Sequence, residues 1–395
     1  MNNQILPQPG SIILFGSGET SSTGRKIFER VFRLLPQSPR IALLETPAGF
    51  ELNSHQVISR VGDFFTTRLQ NYSPQVEIIP ARMRGTQFSP DEPEILAPLL
   101  NADLIFMGPG SPSYAIRQLR DSLAWYYLLA RHCLGAVLAL ASAATVAFSA
   151  SALPVYEIYK VGEELHWIQG LDFFRLYGLK LVLIPHWNNN EGGAELDTSR
   201  RFMGQERFVR LINMLPEEMT IIGLDEKTAL VMDLSSCECQ VLGLGMVTLL
   251  HTGHKHYEKG HLISSVGNSL NITGTNEDLA KIAKQRDGHF HQYQDGQNFS
   301  MSEIGRFQPY YPEACLPSAI WQKAIQAKHL MEIEAPLTPS EEVAQLIRAR
   351  QEARQTNNWA FADELRIQIE KSGWEVLDTK DGPVSRKLPK EKSNN

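Results

Sequence analysis

Six short, almost wholly apolar runs dominate the first half of the chain: Ile12–Phe15, Ile41–Leu44, Val76–Ile79, Leu104–Met107, Ala136–Ala141 and Leu179–Ile184. A strand with one wet face alternates apolar and polar residues; a strand covered on both faces reads as a continuous apolar run. Between most of these runs lie segments with helical periodicity, namely Lys26–Leu35, His55–Gln70, Pro93–Leu100 and Tyr114–His132. Buried strands alternating with amphipathic helices predict an α/β fold, a mostly parallel sheet with helices on both faces. Sheets of this kind place their sites outside the carboxyl ends of the strands. Gly16, Pro47, Gly108, Ser142 and His186 each fall just after a run, which marks them for attention.

The stretch from Cys133 to Tyr156 carries no charge and is long enough to span a bilayer. It contains Gly135, Ser142, Thr145, Ser149, Ser151 and Pro154, and it divides into a strand-like and a helix-like half. A buried strand running into a buried helix is the better reading, so no membrane association is expected. The 38 Lys and Arg against 44 Asp and Glu give a net charge of −6, unlike the basic footprint of a dedicated nucleic-acid binder. Four cysteines in 395 residues exclude a disulfide-stapled secreted scaffold and fit a reducing cytoplasm. Met1–Gly10 has no Lys or Arg and two prolines, which fails as the start of a signal peptide. A cytoplasmic protein is expected.

Beyond Met219 the texture changes. Ile221–Leu224, Ala229–Asp233, Gln240–Gly243 and Val247–Leu250 read as strands with little between them, hence an antiparallel extension. After Val266 the pattern is irregular, with a capping box at Thr275–Asp278 opening one short helix. The division expected is a main domain at 1–267, an irregular linker region at 268–337, a helical module at 338–388 and a disordered tail at 389–395. In the module, helices over Ser340–Gln355 and Asn358–Lys371 meet at Asn357 and bury Leu346, Ile347, Trp359, Ala362, Leu365 and Ile369.

Three groups of residues bear on chemistry. Gly16-Ser-Gly18-Glu19-Thr20 follows the first strand, but its spacing to Gly24 and Arg25 fits no phosphate loop. Either Glu19 or Thr20 caps the next helix, or Glu19 faces a ligand. Cys237 and Cys239, followed by His251, His254, His256 and His261, match no structural zinc spacing and read as a polar hairpin turn with surface histidines. The third group is a serine, a histidine and an acid. Ser142 ends a strand and opens a run of small residues, as a nucleophile at a sharp strand-to-helix turn requires. His186 ends another strand, and Asp225-Glu226 a third. Three strand ends can thus bring a hydroxyl, an imidazole and a carboxylate to one sheet edge.

These residues carry a resemblance. Gly16-Ser-Gly-Glu-Thr20, Met107-Gly-Pro-Gly110-Ser-Pro112, Ala141-Ser142-Ala143-Ala144, Ile184-Pro-His186-Trp187 and Ile222-Gly-Leu-Asp225-Glu226-Lys-Thr-Ala229 stand in the order of motifs in the cyanophycinase and dipeptidase E group of serine peptidases. The region from about 11 to 250 resembles that group, which implies the class I glutamine amidotransferase-like fold. Carried over residue by residue, the resemblance implies Ser142 as nucleophile, His186 as base and the N–H groups of Gly110 and Ala143 as oxyanion hole. Glu226 matches the cyanophycinase pattern for the third member, with Glu157 the alternative by its distance beyond the serine. Glu19 and Ser111 are candidate substrate-binding residues. The group's turn has glycine two residues before and after the serine, where this chain has Leu140 and Ala144; any side chain there crowds the turn.

A second resemblance covers Val343–Leu388. Arg350, Arg354, Asn358-Trp359-Ala-Phe-Ala362-Asp363, Arg366, Gly373 and Asp378-Thr-x-x-Gly382 resemble the C-terminal helical module of cysteinyl-tRNA synthetases. The synthetase's catalytic signatures are absent, and acids and bases balance from Ser340 onwards, so charge does not favour RNA. A docking or structural helical hairpin is the plainer expectation. The chain as a whole is expected to be a serine hydrolase acting on a peptide or amino-acid-derived small substrate without metal or organic cofactor. The alternative is an inactive binding module whose tail recruits RNA or protein.

Overall fold

The computed structural model describes residues 8–216, 218–253, 275–285, 288–308, 316–334, 341–356, 358–379 and 382–387. In chain order the first half gives β1 (Ile12–Phe15), α1 (Ser22–Phe32), β2 (Arg40–Leu44), α2 (Ser54–Arg68), β3 (Gln75–Ile79), α3 (Pro93–Leu96), β4 (Leu104–Met107), α4 (Pro112–Leu119), α5 (Leu123–Cys133), β5 (Val137–Ala141) and α6 (Ala143–Ala147). There follow a short ribbon of β6 (Ser151–Ala152) and β7 (Ile168–Gln169), then β8 (Leu181–Pro185), α7 (Gly204–Met214), β9 (Thr220–Leu224), β10 (Thr228–Asp233), β11 (Glu238–Gly243) and β12 (Met246–His251). The remainder is α8 (Asn276–Gln285), β13 (Phe290–Gln294), β14 (Asn298–Ser300), α9 (Ser318–Glu334), α10 (Glu341–Gln355), α11 (Trp359–Lys371), β15 (Trp374–Thr379) and β16 (Gly382–Lys387).

The main sheet has eight strands in the order β14-β11-β10-β1-β5-β4-β2-β3. From β1 to β3 neighbouring strands are parallel, and β10, β11 and β14 extend this core antiparallel. β1, β4 and β5 are buried at every position, which is why they read as unbroken apolar runs. Two apolar layers cover the sheet: α1 and α2 contribute Phe28, Phe32, Phe64 and Phe65 to one, and α5 contributes Tyr127 and Leu128 to the other.

Several elements differ from expectation. The segment Tyr114–His132 is two helices rather than one, because Asp121 takes φ +55° and Ser122 caps α5 through Trp125 N–H at 3.1 Å. β8 is not in the main sheet. It pairs parallel with β9 in a second sheet of order β13-β12-β9-β8. The stretch expected to be an irregular linker holds the one helix expected there, α8, and also supplies β13 and β14, which were not expected; the first compact unit runs to Lys328. β13 and β14 pair antiparallel with β12 and β11, bringing Phe299, Met301 and Ile304 into the core. Both are edge strands with polar, half-exposed positions, and so they lack the apolar signature of the central strands.

The second unit has its own small core of Val343, Ile369, Trp374 and Val376, with Leu346 and Ile347 packed against it. Ala362, Leu365 and Ile369 are buried as expected, whereas Trp359 is 54% exposed. Its indole lies one turn before that seam begins, and the Arg354 guanidinium covers one face at 5.2 Å. The β15–β16 hairpin was not anticipated. Asn357, residues 389–395 and His254, His256 and His261 lie outside the described residues, while His251 ends β12.

Candidate active site

Ser142 stands between β5 and α6 at φ +50° and ψ −109°, a conformation that L-residues avoid. It occupies the N-cap of α6, yet its hydroxyl makes no capping bond. The two crowding side chains do not prevent this turn. Leu140 and Ala144 are fully buried, the Leu140 carbonyl accepts the Thr145 hydroxyl at 3.0 Å, and Ala144 N–H reaches the Gly108 carbonyl at 3.3 Å.

His186 also has positive φ, +54°, where the chain leaves β8. Its N–H donates to the Gly16 carbonyl at 3.1 Å, which ties the end of β8 to the end of β1. The imidazole Nε2 lies 3.2 Å from Ser142 Oγ, and Nδ1 lies 2.9 Å from Glu226 Oε1. A proton on Nδ1, facing the carboxylate, leaves Nε2 as the acceptor for the serine hydroxyl. Glu226 follows β9, and its Oε1 also accepts from Asn189 Nδ2 at 3.0 Å. Its own N–H donates to Asn188 Oδ1 at 2.8 Å. The hydrogen bonds from His186 and Asn189 hold the Glu226 carboxyl below the usual carboxylate range, against a smaller opposing effect of burial. Asp225 turns away, accepting Met246 N–H at 2.9 Å, and its burial raises its pKa.

Gly110 adopts φ +141°, and a Cβ there would lie 1.9 Å from the Pro47 carbonyl oxygen. That contact demands glycine on both steric and conformational grounds. The N–H groups of Gly110 and Ala143 have no partner among the described residues. The Ser111 hydroxyl caps α4, accepting Tyr114 N–H at 3.2 Å. Neither Glu19 nor Thr20 caps α1; Ser21 does, accepting Gly24 N–H at 3.1 Å. Burial pushes the Glu19 carboxyl up, and the nearby His186 partly offsets this. Glu157 opens a π-helical turn over Glu157–Val161 and makes no hydrogen bond to His186; its Oε2 is buried without a partner.

Four residues beside His186 escaped the sequence reading. Asn188 and Asn189 were visible only as an unusual Asn run. Arg200 and Arg201 belong, with Phe202, to three consecutive non-glycine residues at φ +55°, +57° and +65°. The Arg201 N–H donates to the His186 carbonyl at 3.2 Å. The Arg201 guanidinium is buried, its Nε and Nη1 lack hydrogen-bond partners, and burial lowers its pKa to about 10.

The first unit is an α/β fold, and solved structures share it. A crystal structure of a peptidase from an acI-B1 Actinobacterium aligns over 75% of this chain and 98% of its own, with a TM-score of 0.53 and 19% identity. A peptidase E-type protein from Listeria monocytogenes EGD-e aligns over 60% of this chain and 100% of its own, with a TM-score of 0.41 and 16% identity. The shared fold rests on the first of these. The second unit has a separate relationship: residues 339–383 match the family model of the cysteinyl-tRNA ligase anticodon binding domain. A cysteine–tRNA ligase from Chlamydia pneumoniae is 49% identical over 57 residues, a match spanning 13% of this chain and 12% of the ligase.

Proposed function

We propose that the first unit is a serine-type hydrolase that cleaves a peptide or isopeptide amide bond through an acyl-enzyme. The observation that carries this reading is the continuous contact from Ser142 Oγ to His186 to Glu226, at 3.2 and 2.9 Å, behind a serine in strained backbone. His186 Nε2 takes the Ser142 proton as Oγ attacks the carbonyl carbon. The N–H groups of Gly110 and Ala143 receive the oxyanion, and Glu226 steadies the imidazolium. The imidazolium returns its proton to the leaving amine, and water then repeats the sequence to release the acid.

A fluorophosphonate probe tests the reading. Wild type is expected to be labelled at Ser142 and to hydrolyse acidic dipeptides or β-aspartyl-arginine, and Ser142→Ala to lose both. Wild type that neither labels nor cleaves favours the inactive binding module.

For the second unit we propose recognition of an RNA loop. Trp359 is exposed with a guanidinium on one face, and the exposed Asp363 lies one helical turn away. A free indole face stacks a base for about 1–3 kcal/mol, and a carboxylate accepts from base amino groups. Anisotropy with a fluorescent tRNA should show Trp359→Ala weakening binding by about tenfold or more; equal affinity would leave the docking-hairpin reading.

A further inference from the structure

Arg200 lies beside the Ser142–His186–Glu226 chain and is bound on several sides at once. It is 6% exposed. Its backbone N–H and its Nη1 both donate to the Trp187 carbonyl, at 2.8 and 3.0 Å. Nη2 donates to Asn276 Oδ1 at 3.0 Å, and the guanidinium carbon stands 4.0 Å from the centre of the Trp187 ring. Burial lowers its pKa to about 10, while Asp225 and Asp197 help to keep it charged.

Trp187 is the residue being held. Its N–H donates to the Leu224 carbonyl at 3.0 Å. Its indole lies across Gly223, where a Cβ would stand 2.4 Å from the ring, and meets Phe208 edge-on with centroids 5.2 Å apart. On one side of Trp187 in the chain is His186; on the other are Asn188 and Asn189, whose amides hold Glu226. The Asn189 contact to the Glu226 carboxylate, the Asn188 contact to its backbone N–H and the imidazole therefore depend on where Trp187 sits. His186 is in the left-handed region, which persists only where the surroundings over-determine it.

We propose that Arg200 is a positioning residue that clamps Trp187 between the ends of β8 and β9 and the start of α8. This sets His186 and Glu226 in register with Ser142. The inference rests on the hydrolase reading. It gives the extension beyond residue 267 a part in the chemistry, because Asn276 anchors one arm of the clamp.

The test combines fluorophosphonate labelling rates with steady-state kinetics. The small probe needs an activated serine but no substrate subsite, so it separates positioning from substrate binding. Arg200→Gln is expected to lower the labelling rate and kcat together by about tenfold or more, with KM changed less than about threefold. Arg200→Lys should recover part of the loss, keeping a cation over the indole but not the fork. Asn276 is exposed, so Asn276→Ala should fold normally and slow labelling by about two- to threefold. A rise in KM with labelling unchanged would make Arg200 a substrate contact and overturn the proposal. A lower melting temperature with unchanged labelling in all three variants would overturn it in favour of simple packing. Absence of labelling in wild type would overturn the hydrolase reading and the clamp with it, a result distinct from either of those.

Discussion

Ser142 holds strain in a place where its side chain contributes no capping bond. A non-glycine residue at φ +50° and ψ −109° costs about 1–3 kcal/mol. Ser142→Gly should therefore raise the melting temperature while abolishing turnover. Ser142→Ala should abolish turnover with stability nearly unchanged, since it keeps the Cβ that strains the turn. Calorimetry on both variants checks this, and equal melting temperatures for Gly and Ala would refute stored strain. Two glutamates near His186 respond to pH with opposite slopes. Glu226 is depressed in the folded state by its bond with His186, so its stabilisation is in place above the ordinary carboxylate pKa and is lost as pH falls through the folded value. Glu19 is raised by burial, so the folded state holds its proton more tightly and stability falls as pH rises through the raised value. Urea melts should show Glu226→Gln less stable than wild type at pH 7 and Glu19→Gln more stable, with both differences shrinking toward about pH 3.

At the scale of elements, the central strands and the edges separate what was readable from what was not. β1, β4 and β5 are buried throughout, so composition alone marked them, and the ends of β5, β8 and β9 carried Ser142, His186 and Glu226 in view. β13, with sequence Phe290-His-Gln-Tyr-Gln294, has no fully buried position. Only its long-range pairing with β12 makes it a strand, and no local pattern encodes such a partner. Arg200 and Arg201 were missed for a related reason: two arginines in left-handed conformation look like a surface turn until the strand ends they bridge are brought together. Phe299 in β14 gives a direct measurement. It is 4% exposed, and Phe299→Ala should cost about 3–4 kcal/mol in denaturant unfolding. An irregular linker at that position would show a cost near zero. Trp359→Ala in α11, where the ring is more than half exposed, should stay within about 1 kcal/mol of wild type.

The whole chain divides where apolar contacts do. The first unit runs to Lys328 and the second from His329, each with its own core. The point at which the chain can be cut is set by α9 rather than by the domain pattern in the sequence. Trp321 and Ala324 in the first half of α9 are 5% and 0% exposed and belong to the first core. A chain ended before Ser318 would lose that contribution, on the order of 3–5 kcal/mol if Trp321 alone is counted. A chain ended after Glu334 would keep it. The residues 1–334 fragment is therefore expected to unfold cooperatively at the temperature of the main transition of the full chain and to label with fluorophosphonate at the full-chain rate. The fragment ending at Pro317 should melt many degrees lower. In the full chain the second unit, too small to bury much apolar surface, should give a separate transition at lower temperature that disappears in the 1–334 fragment. A single transition shared by the full chain and lowered by removing residues 335–395 would mean that the two cores fold as one.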